Sequence, residues 1–204
     1  HNPATSYWHL YLSGSGTKTL QAGTTSISGD FNIGGTAATT GVAGLTIGGT
    51  FTLGATASFT TGSFTHNVAG NWTNNGGTFN GAGSTINFNG AGTQTIGGTA
   101  TTTFNNVTTA NTANATTGIA TNIGGTLAIG NGSTFTAAGY ALTVTGTTTV
   151  GGGTSGSLVV SSATGAKTFV GLVTTAAGAT WNNSGNSAVT FRGGITNNAT
   201  GTFT

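Results

Sequence analysis

The chain contains no cysteine, and only 2% of its 204 residues are charged. The lack of cysteine excludes disulfides and thiolate metal sites. Its four charged side chains are Lys18, Lys167, Arg192 and Asp30. Isolated basic residues cannot displace the counterions of a phosphate backbone, so the sequence predicts no nucleic-acid binding. Since so few charges repel one another, the composition suits association between copies of the chain.

Carboxylates are scarcer still, because Asp30 is the only acidic side chain. One carboxylate excludes two-carboxylate glycoside hydrolysis within a single chain, and it excludes carboxylate-rich calcium sites. A Ser-His-Asp triad built on Asp30 lacks the spacing of a nucleophile elbow. Copper binding by His1 with His9 or His66 does not fit the repeat pattern, and we expect His66 to be solvated. The sequence therefore predicts a non-enzymatic protein with no catalytic residue, no cofactor and no metal.

The sequence also lacks an apolar run of membrane-spanning length, so we predict no membrane insertion. It begins at His1 rather than Met. We take this start to indicate removal of a signal peptide or excision from a longer chain. Low charge with abundant Thr, Asn and Gly favours an extracellular or cell-surface location.

Glycine, in contrast, is abundant, with 39 residues against one proline. The stretch IGGTFTLGATASFT at residues 47–60 recurs as IGGTLAIGNGSTFT at residues 123–136, which is 76 residues later. A repeat of this kind is typical of a chain built from stacked units of similar structure.

A shorter period lies inside the long one. Ile47 precedes Val68 by 21 residues, Ile123 precedes Val144 by the same distance, and residues 169–181 match 191–203 at a spacing of 22. A period near twenty in Gly-punctuated, Thr-rich segments is typical of a β-solenoid. We count four short units per 76 residues, with one anchor residue in each, followed by the equivalent of the first: Leu12, Phe31, Ile47, Val68 and then Phe88.

We therefore predict an all-β fold, a right-handed parallel β-helix of about ten coils of 19–22 residues over residues 13–204. Because side chains alternate between the two faces of a strand, every second residue points inward. The predicted core stack is Ile47, Phe51, Leu53, Val68, Trp72, Ile123, Leu127, Ile129 and Val144. A predicted aromatic ladder contains Phe59, Phe79, Phe135, Trp181 and Phe203.

Residues 1–12, HNPATSYWHLYL, differ from the repeats and are rich in aromatic residues. They form either a cap over the first coil or an arm that adds a strand to a neighbouring subunit. The candidate assembly residues in this segment are Tyr7, Trp8, Leu10, Tyr11 and Leu12.

The segments INFNGAGTQTIGGTATTTFNNVTTANT and NIGGTLAIGNGSTFTAAGYALTVTGTTTV resemble the Thr/Gly/Asn-rich β-strand repeats of bacterial surface proteins. These include adhesin-like and autotransporter-passenger-like proteins. The resemblance covers most of residues 13–204 and implies a long extracellular β-solenoid used as a stalk, adhesin or fibre. It implies no catalytic or binding residue.

Together these observations predict a structural subunit of an extracellular filament, joined head to tail to copies of itself through open β-edges. One alternative is an adhesin stalk that binds surfaces or glycans. A second is ice binding by Thr-X-Thr arrays, although Asn71-Trp72-Thr73 and Thr126-Leu127-Ala128 would interrupt the file begun by Thr50-Phe51-Thr52. We expect stability to be insensitive to salt and pH, since it comes from backbone ladders and apolar stacks.

Overall fold

The computed structural model describes residues 6–110 and 112–204. Residues 1–5 of the predicted arm lie outside the described residues. The described chain is a β-solenoid of 29 short strands whose pairings are all parallel, which confirms the predicted fold class. Three strands make one turn, giving nine complete turns and two strands of a tenth.

Two continuous ten-stranded sheets run along the solenoid, and each receives one strand from every turn. Sheet A contains β1 (Ser6–Tyr7), β4 (Ser26–Ile27), β7 (Thr46–Ile47), β10 (Thr65–Val68), β13 (Thr85–Phe88), β16 (Asn106–Thr109), β19 (Leu127–Ile129), β22 (Thr148–Val150), β25 (Val173–Thr175) and β28 (Ile195–Asn197). Sheet B contains β2 (Leu10–Leu12), β5 (Phe31–Ile33), β8 (Phe51–Leu53), β11 (Trp72–Asn74), β14 (Thr93–Gly98), β17 (Asn114–Thr117), β20 (Thr134–Ala137), β23 (Ser157–Val160), β26 (Thr180–Asn182) and β29 (Thr202–Phe203).

The third side of the solenoid is divided between two sheets. Sheet C contains β3 (Ser15–Thr19), β6 (Thr36–Thr40), β9 (Ser58–Thr60) and β12 (Thr78–Asn80). Sheet D contains β15 (Thr102–Phe104), β18 (Thr121–Ile123), β21 (Leu142–Val144), β24 (Lys167–Phe169) and β27 (Val189–Phe191). No pairing joins β12 to β15 among the described strands.

Like residues stack from turn to turn, as the 21-residue period predicts. Val68 pairs with Ile47 and Trp72 pairs with Phe51, where the two rings stack with centroids 4.2 Å apart. Farther along, Val144 pairs with Ile123. All nine residues of the predicted core stack are buried, so apolar burial and parallel backbone ladders stabilise each turn on its neighbours.

The 76-residue repeat does not correspond to four turns, and this part of the prediction is wrong. Ile47 lies in β7 of sheet A, whereas its repeat partner Ile123 lies in β18 of sheet D, eleven strands later. Eleven strands make three turns and two thirds of a fourth. The predicted anchor residues likewise lie in two different sheets. Leu12 and Phe31 belong to sheet B, whereas the other anchors, Ile47, Val68 and Phe88, belong to sheet A. Each strand with its corner averages about seven residues, so similar segments serve on any of the three sides.

The predicted aromatic ladder is likewise divided between two sides. Phe59 and Phe79 pair in sheet C, with ring centroids 6.3 Å apart. Phe135, Trp181 and Phe203 belong to sheet B, where the Trp181 and Phe203 rings stack at 4.3 Å. The cause is the same shift of strand position within the long repeat.

The described part of the predicted arm, residues 6–12, supplies β1 and β2 of the first turn. Tyr7 pairs with Ile27 and Leu10 pairs with Phe31. Residues 6–12 therefore belong to the solenoid itself, and the repeat domain includes them instead of beginning at residue 13.

Sheets C and D are separate because the corners of the solenoid change length. In the fourth turn, residues 81–84 connect β12 to sheet A, whereas in the fifth turn residue 105 alone connects β15 to sheet A. The break in pairing between β12 and β15, called the step below, falls where this connection shortens from four residues to one.

Candidate assembly surfaces and ionisable groups

Two apolar columns reach the tenth turn. Ile195 in β28 continues the column of Val173, yet 42% of Ile195 is exposed while Val173 is fully buried. In β29, Phe203 is half-buried and lies parallel to Trp181, with an angle of 8° between the ring planes. Backbone groups on the outer edges of β28 and β29 have no described strand to pair with. This edge has the apolar residues and unpaired backbone that can accept another parallel turn.

The first turn separates the five candidate assembly residues into two groups. Leu10 is buried, and Tyr7 and Leu12 are half-buried against the core. Trp8 and Tyr11 instead point outward, with 75% and 64% of their surface exposed. Tyr7, Leu10 and Leu12 therefore belong to the apolar interior of the first described turn, and the other two form an aromatic patch on its side.

Asp30 occupies a corner between sheets A and B and binds the adjacent turns. Its Oδ1 accepts a hydrogen bond from Thr50 N–H at 2.8 Å, and its own N–H donates to His9 Nδ1 at 2.8 Å. In a catalytic triad the imidazole Nδ1–H would donate to the carboxylate. Here Nδ1 is an acceptor, so His9 and Asp30 are not arranged as a triad. The side-chain oxygens of Asn71 and Asn106 play the same role, each accepting an N–H from the next turn at 2.8 Å.

His66 is buried, so the prediction of a solvated imidazole is wrong. It lies in β10 in the same alternation as Val68 and is 1% exposed. The Leu45 N–H donates to Nδ1 at 3.3 Å, and Nε2 is 3.1 Å from the Thr61 carbonyl oxygen. These partners fit a neutral ring protonated on Nε2. Burial is the main cause that lowers the pKa of His66, and the bond to Thr61 opposes it.

Lys167 is also inside the solenoid, which the sequence reasoning missed. It pairs with Leu142 on one side and Val189 on the other, and it is fully buried. Its ammonium donates to the carbonyl oxygens of Thr164 and Gly165, both at 2.6 Å. Burial lowers the pKa of Lys167. Its position two residues before buried Phe169 was the available signal, because residues two apart share one face of a strand.

Metal binding finds no support in the described part of the chain, where no three His, Cys, Asp or Glu side chains come together. Of the copper candidates, His1 lies outside the described residues. His9 is on the outside of the first turn and His66 is within the core. Across residues 6–110 and 112–204, no helix is long and apolar enough to cross a membrane.

Comparison with known proteins adds no relative, since no family model, curated protein or solved structure matches the chain.

Proposed function

We propose that the chain is a structural, non-enzymatic subunit of an extracellular filament, in which copies join end to end through their terminal turns. The observation that supports this most is that each turn stacks like residues on the turn before it, as Val68 pairs with Ile47, Trp72 with Phe51 and Ile195 with Val173. Another turn placed on β28 and β29 would bury Ile195 and Phe203 and would pair the outer edges of both strands. Tyr7, Leu10 and Leu12 give the first described turn apolar inward positions of the same kind.

The low charge of the chain supports the same proposal. Stacking two ends brings whole cross-sections together, and only four charged side chains are available to oppose it. Outward positions of the sheets are mostly Thr, Asn and Ser, which tolerate water. Lateral aggregation is therefore disfavoured relative to growth along the axis.

The test is electron microscopy with sedimentation velocity on the purified chain, its Ile195→Lys variant and a Thr196→Lys control. Ile195 pairs with buried Val173 and Thr196 with the outward Thr174, so the two variants add the same charge to opposite faces of one strand. We expect uniform filaments from the wild type and the control, and monomers from Ile195→Lys. A wild type that stays monomeric at all concentrations would refute the proposal.

A second candidate, ice binding, is supported by the outer surface of sheet B. Thr95, Thr116 and Thr136 are in register over three turns, and Thr93, Asn114 and Thr134 form a parallel file beside them. The array is limited on one side, where Thr95 meets Asn71 of the preceding turn, and on the other, where Val159 follows Thr136.

Thermal hysteresis decides this candidate. A Thr116→Lys substitution at the centre of the array should abolish any hysteresis, while Thr174→Lys on sheet A should preserve it. Absence of hysteresis in the wild type would remove ice binding from consideration.

A further inference from the structure

The step between sheets C and D opens a cleft of about 330 Å³ on the third side of the solenoid. The fourth turn contributes Phe79, Asn80 and Gly81, and the fifth contributes Thr103 and Asn105. Gly124 of the sixth turn lies at its rim. The cleft lies where β12 and β15 do not pair.

One wall of the cleft is an aromatic ring held from behind. Phe79 is half-buried, and its ring centroid lies 4.8 Å from that of Trp72 and 5.7 Å from that of Phe104. A Cβ at residue 81 would come within 2.6 Å of the Phe79 ring, so glycine at that position allows the ring to lie across the backbone. The ring is thus a preorganised apolar surface with one side towards solvent.

Around this ring the available polar groups are amides and a hydroxyl. Asn80 and Thr103 are exposed and Asn105 is half-buried. Asn80 Nδ2 donates to Thr60 Oγ1 at 3.3 Å, and Asn105 Nδ2 lies 3.4 Å from the Ser84 carbonyl oxygen, which orients both amides. Amides and hydroxyls both donate and accept hydrogen bonds, and no residue lining the cleft is ionisable.

We propose that this cleft binds a neutral sugar unit of a polysaccharide. The apolar C–H face of a sugar ring matches the Phe79 ring, and its hydroxyls match the surrounding amides. An uncharged lining favours a neutral ligand over an anionic one, because a buried charge would have no partner there. The volume is at the small end for ligand pockets, which suits one or two sugar rings.

A strand from a second copy is a poorer occupant of the cleft. The strands that border it, β12 and β15, are only three residues long, so an added strand would gain few backbone hydrogen bonds. The sugar site is independent of filament formation, since it lies on the side of the solenoid and not at either end.

The proposal is tested by saturation-transfer NMR with three probes: cellotriose, maltotriose and triacetylchitotriose. We expect at least one to receive saturation on its ring C–H protons, with a dissociation constant on the order of 1 mM. Gly124→Leu fills the rim without strain, because only Phe104 O lies near the position of its Cβ, at 3.6 Å. This variant should weaken binding at least tenfold.

Thr145→Leu is the matched control, because Thr145 occupies the same corner one turn later and is not among the residues that line the cleft. It should bind as the wild type does, and the unfolding midpoints of both variants verify that they fold. Failure of all three sugars to bind would overturn the proposal, as would equal binding by Gly124→Leu. Self-association that Gly124→Leu abolishes would also overturn it, because a second copy would then occupy the cleft. Filament formation, observed by electron microscopy, tests contacts between the terminal turns. Its outcome is therefore separate from that of the sugar-binding test.

Discussion

The indole N–H of Trp72 donates a hydrogen bond to the Thr102 hydroxyl, with 3.2 Å between Nε1 and Oγ1. Trp72 lies in the fourth turn and Thr102 begins the third strand of the fifth. Both residues are 1% exposed. The bond therefore connects the two turns inside the core, directly beneath the place where sheets C and D fail to pair.

Replacing Thr102 with Val should destabilise the protein. Valine has the same shape but leaves the buried Trp72 N–H without an acceptor, which costs about 1–3 kcal/mol. Urea unfolding followed by Trp fluorescence measures the change. Thr148→Val is the control: its hydroxyl is buried without a partner between Leu127 and Val173, so its removal should raise stability by about 1 kcal/mol. Equal effects of the two substitutions would contradict this account.

His66 should make the protein sensitive to acid, contrary to the expectation from composition that stability ignores pH. Its pKa is lowered by burial, so in the folded state the ring resists a proton that the unfolded chain accepts near pH 6.5. The contribution of His66 to the free energy of unfolding should be constant above that pH and should fall as the pH drops through 6.5 towards the lowered folded pKa. Urea midpoints at pH 8, 6.5 and 5 measure the slope.

His66→Leu provides the comparison for this slope. The variant loses two hydrogen bonds and starts from a lower stability, but it removes the titrating ring. Its midpoint should vary less between pH 8 and 5 than that of the wild type. An unchanged slope would assign the acid sensitivity to other groups.

The sequence predicts the solenoid and its local register because residues 20 to 22 apart are of like kind. Ile47 over Val68 and Phe169 over Phe191 were both predictable from spacing, and both pairs are present. The side of the solenoid that a strand occupies was not predictable, since segments of about seven residues fit all three sides. The step beside Phe79 depends on summed corner lengths, so no single motif marks the cleft.

Buried polar residues were missed for a different reason. Lys167 was not considered for the core and His66 was expected to be solvated, although their alternation with Phe169 and Val68 places both inside. Gln94 is a third case, since its amide donates to the carbonyl oxygens of Val68 and Gly70 and accepts the Gly90 N–H. In these three cases the position of a residue in the inward–outward alternation of its strand predicts burial better than its hydrophobicity does.

Lys167→Met should stabilise the protein around neutral pH. Because burial lowers the pKa of Lys167, the folded state resists the proton that the unfolded chain keeps up to about pH 10.5. The resulting penalty is fully present below the folded pKa and is relieved as the pH rises towards 10.5. Wild-type stability should therefore rise over that window, and the difference between wild type and Lys167→Met should shrink.

Urea midpoints from pH 7 to 10.5 test this expectation. The tyrosines are common to both proteins, so the difference between the two profiles isolates Lys167. Lys18→Met controls for the loss of one positive charge. The Lys18 ammonium also donates to a backbone carbonyl oxygen, that of Ser15, but this hydrogen bond is exposed to solvent. A Lys167→Met variant that is less stable at every pH would show that the two carbonyl hydrogen bonds outweigh the cost of burying the ammonium.

Corner glycines should differ in importance according to what the next turn places against them. A Cβ at Gly70 would overlap the backbone of Gly49 and Thr50 in the turn below, so Gly70→Ala has to push two turns apart. We expect a loss of about 1–3 kcal/mol from this overpacking. At Gly92 nothing lies within 4 Å of the added Cβ, and there Ala should stabilise by about 0.4–1 kcal/mol through the unfolded chain. Urea unfolding of the two variants measures both changes. A similar loss of unfolding free energy at both positions would mean that backbone entropy, and not contact between turns, determines where glycine is required.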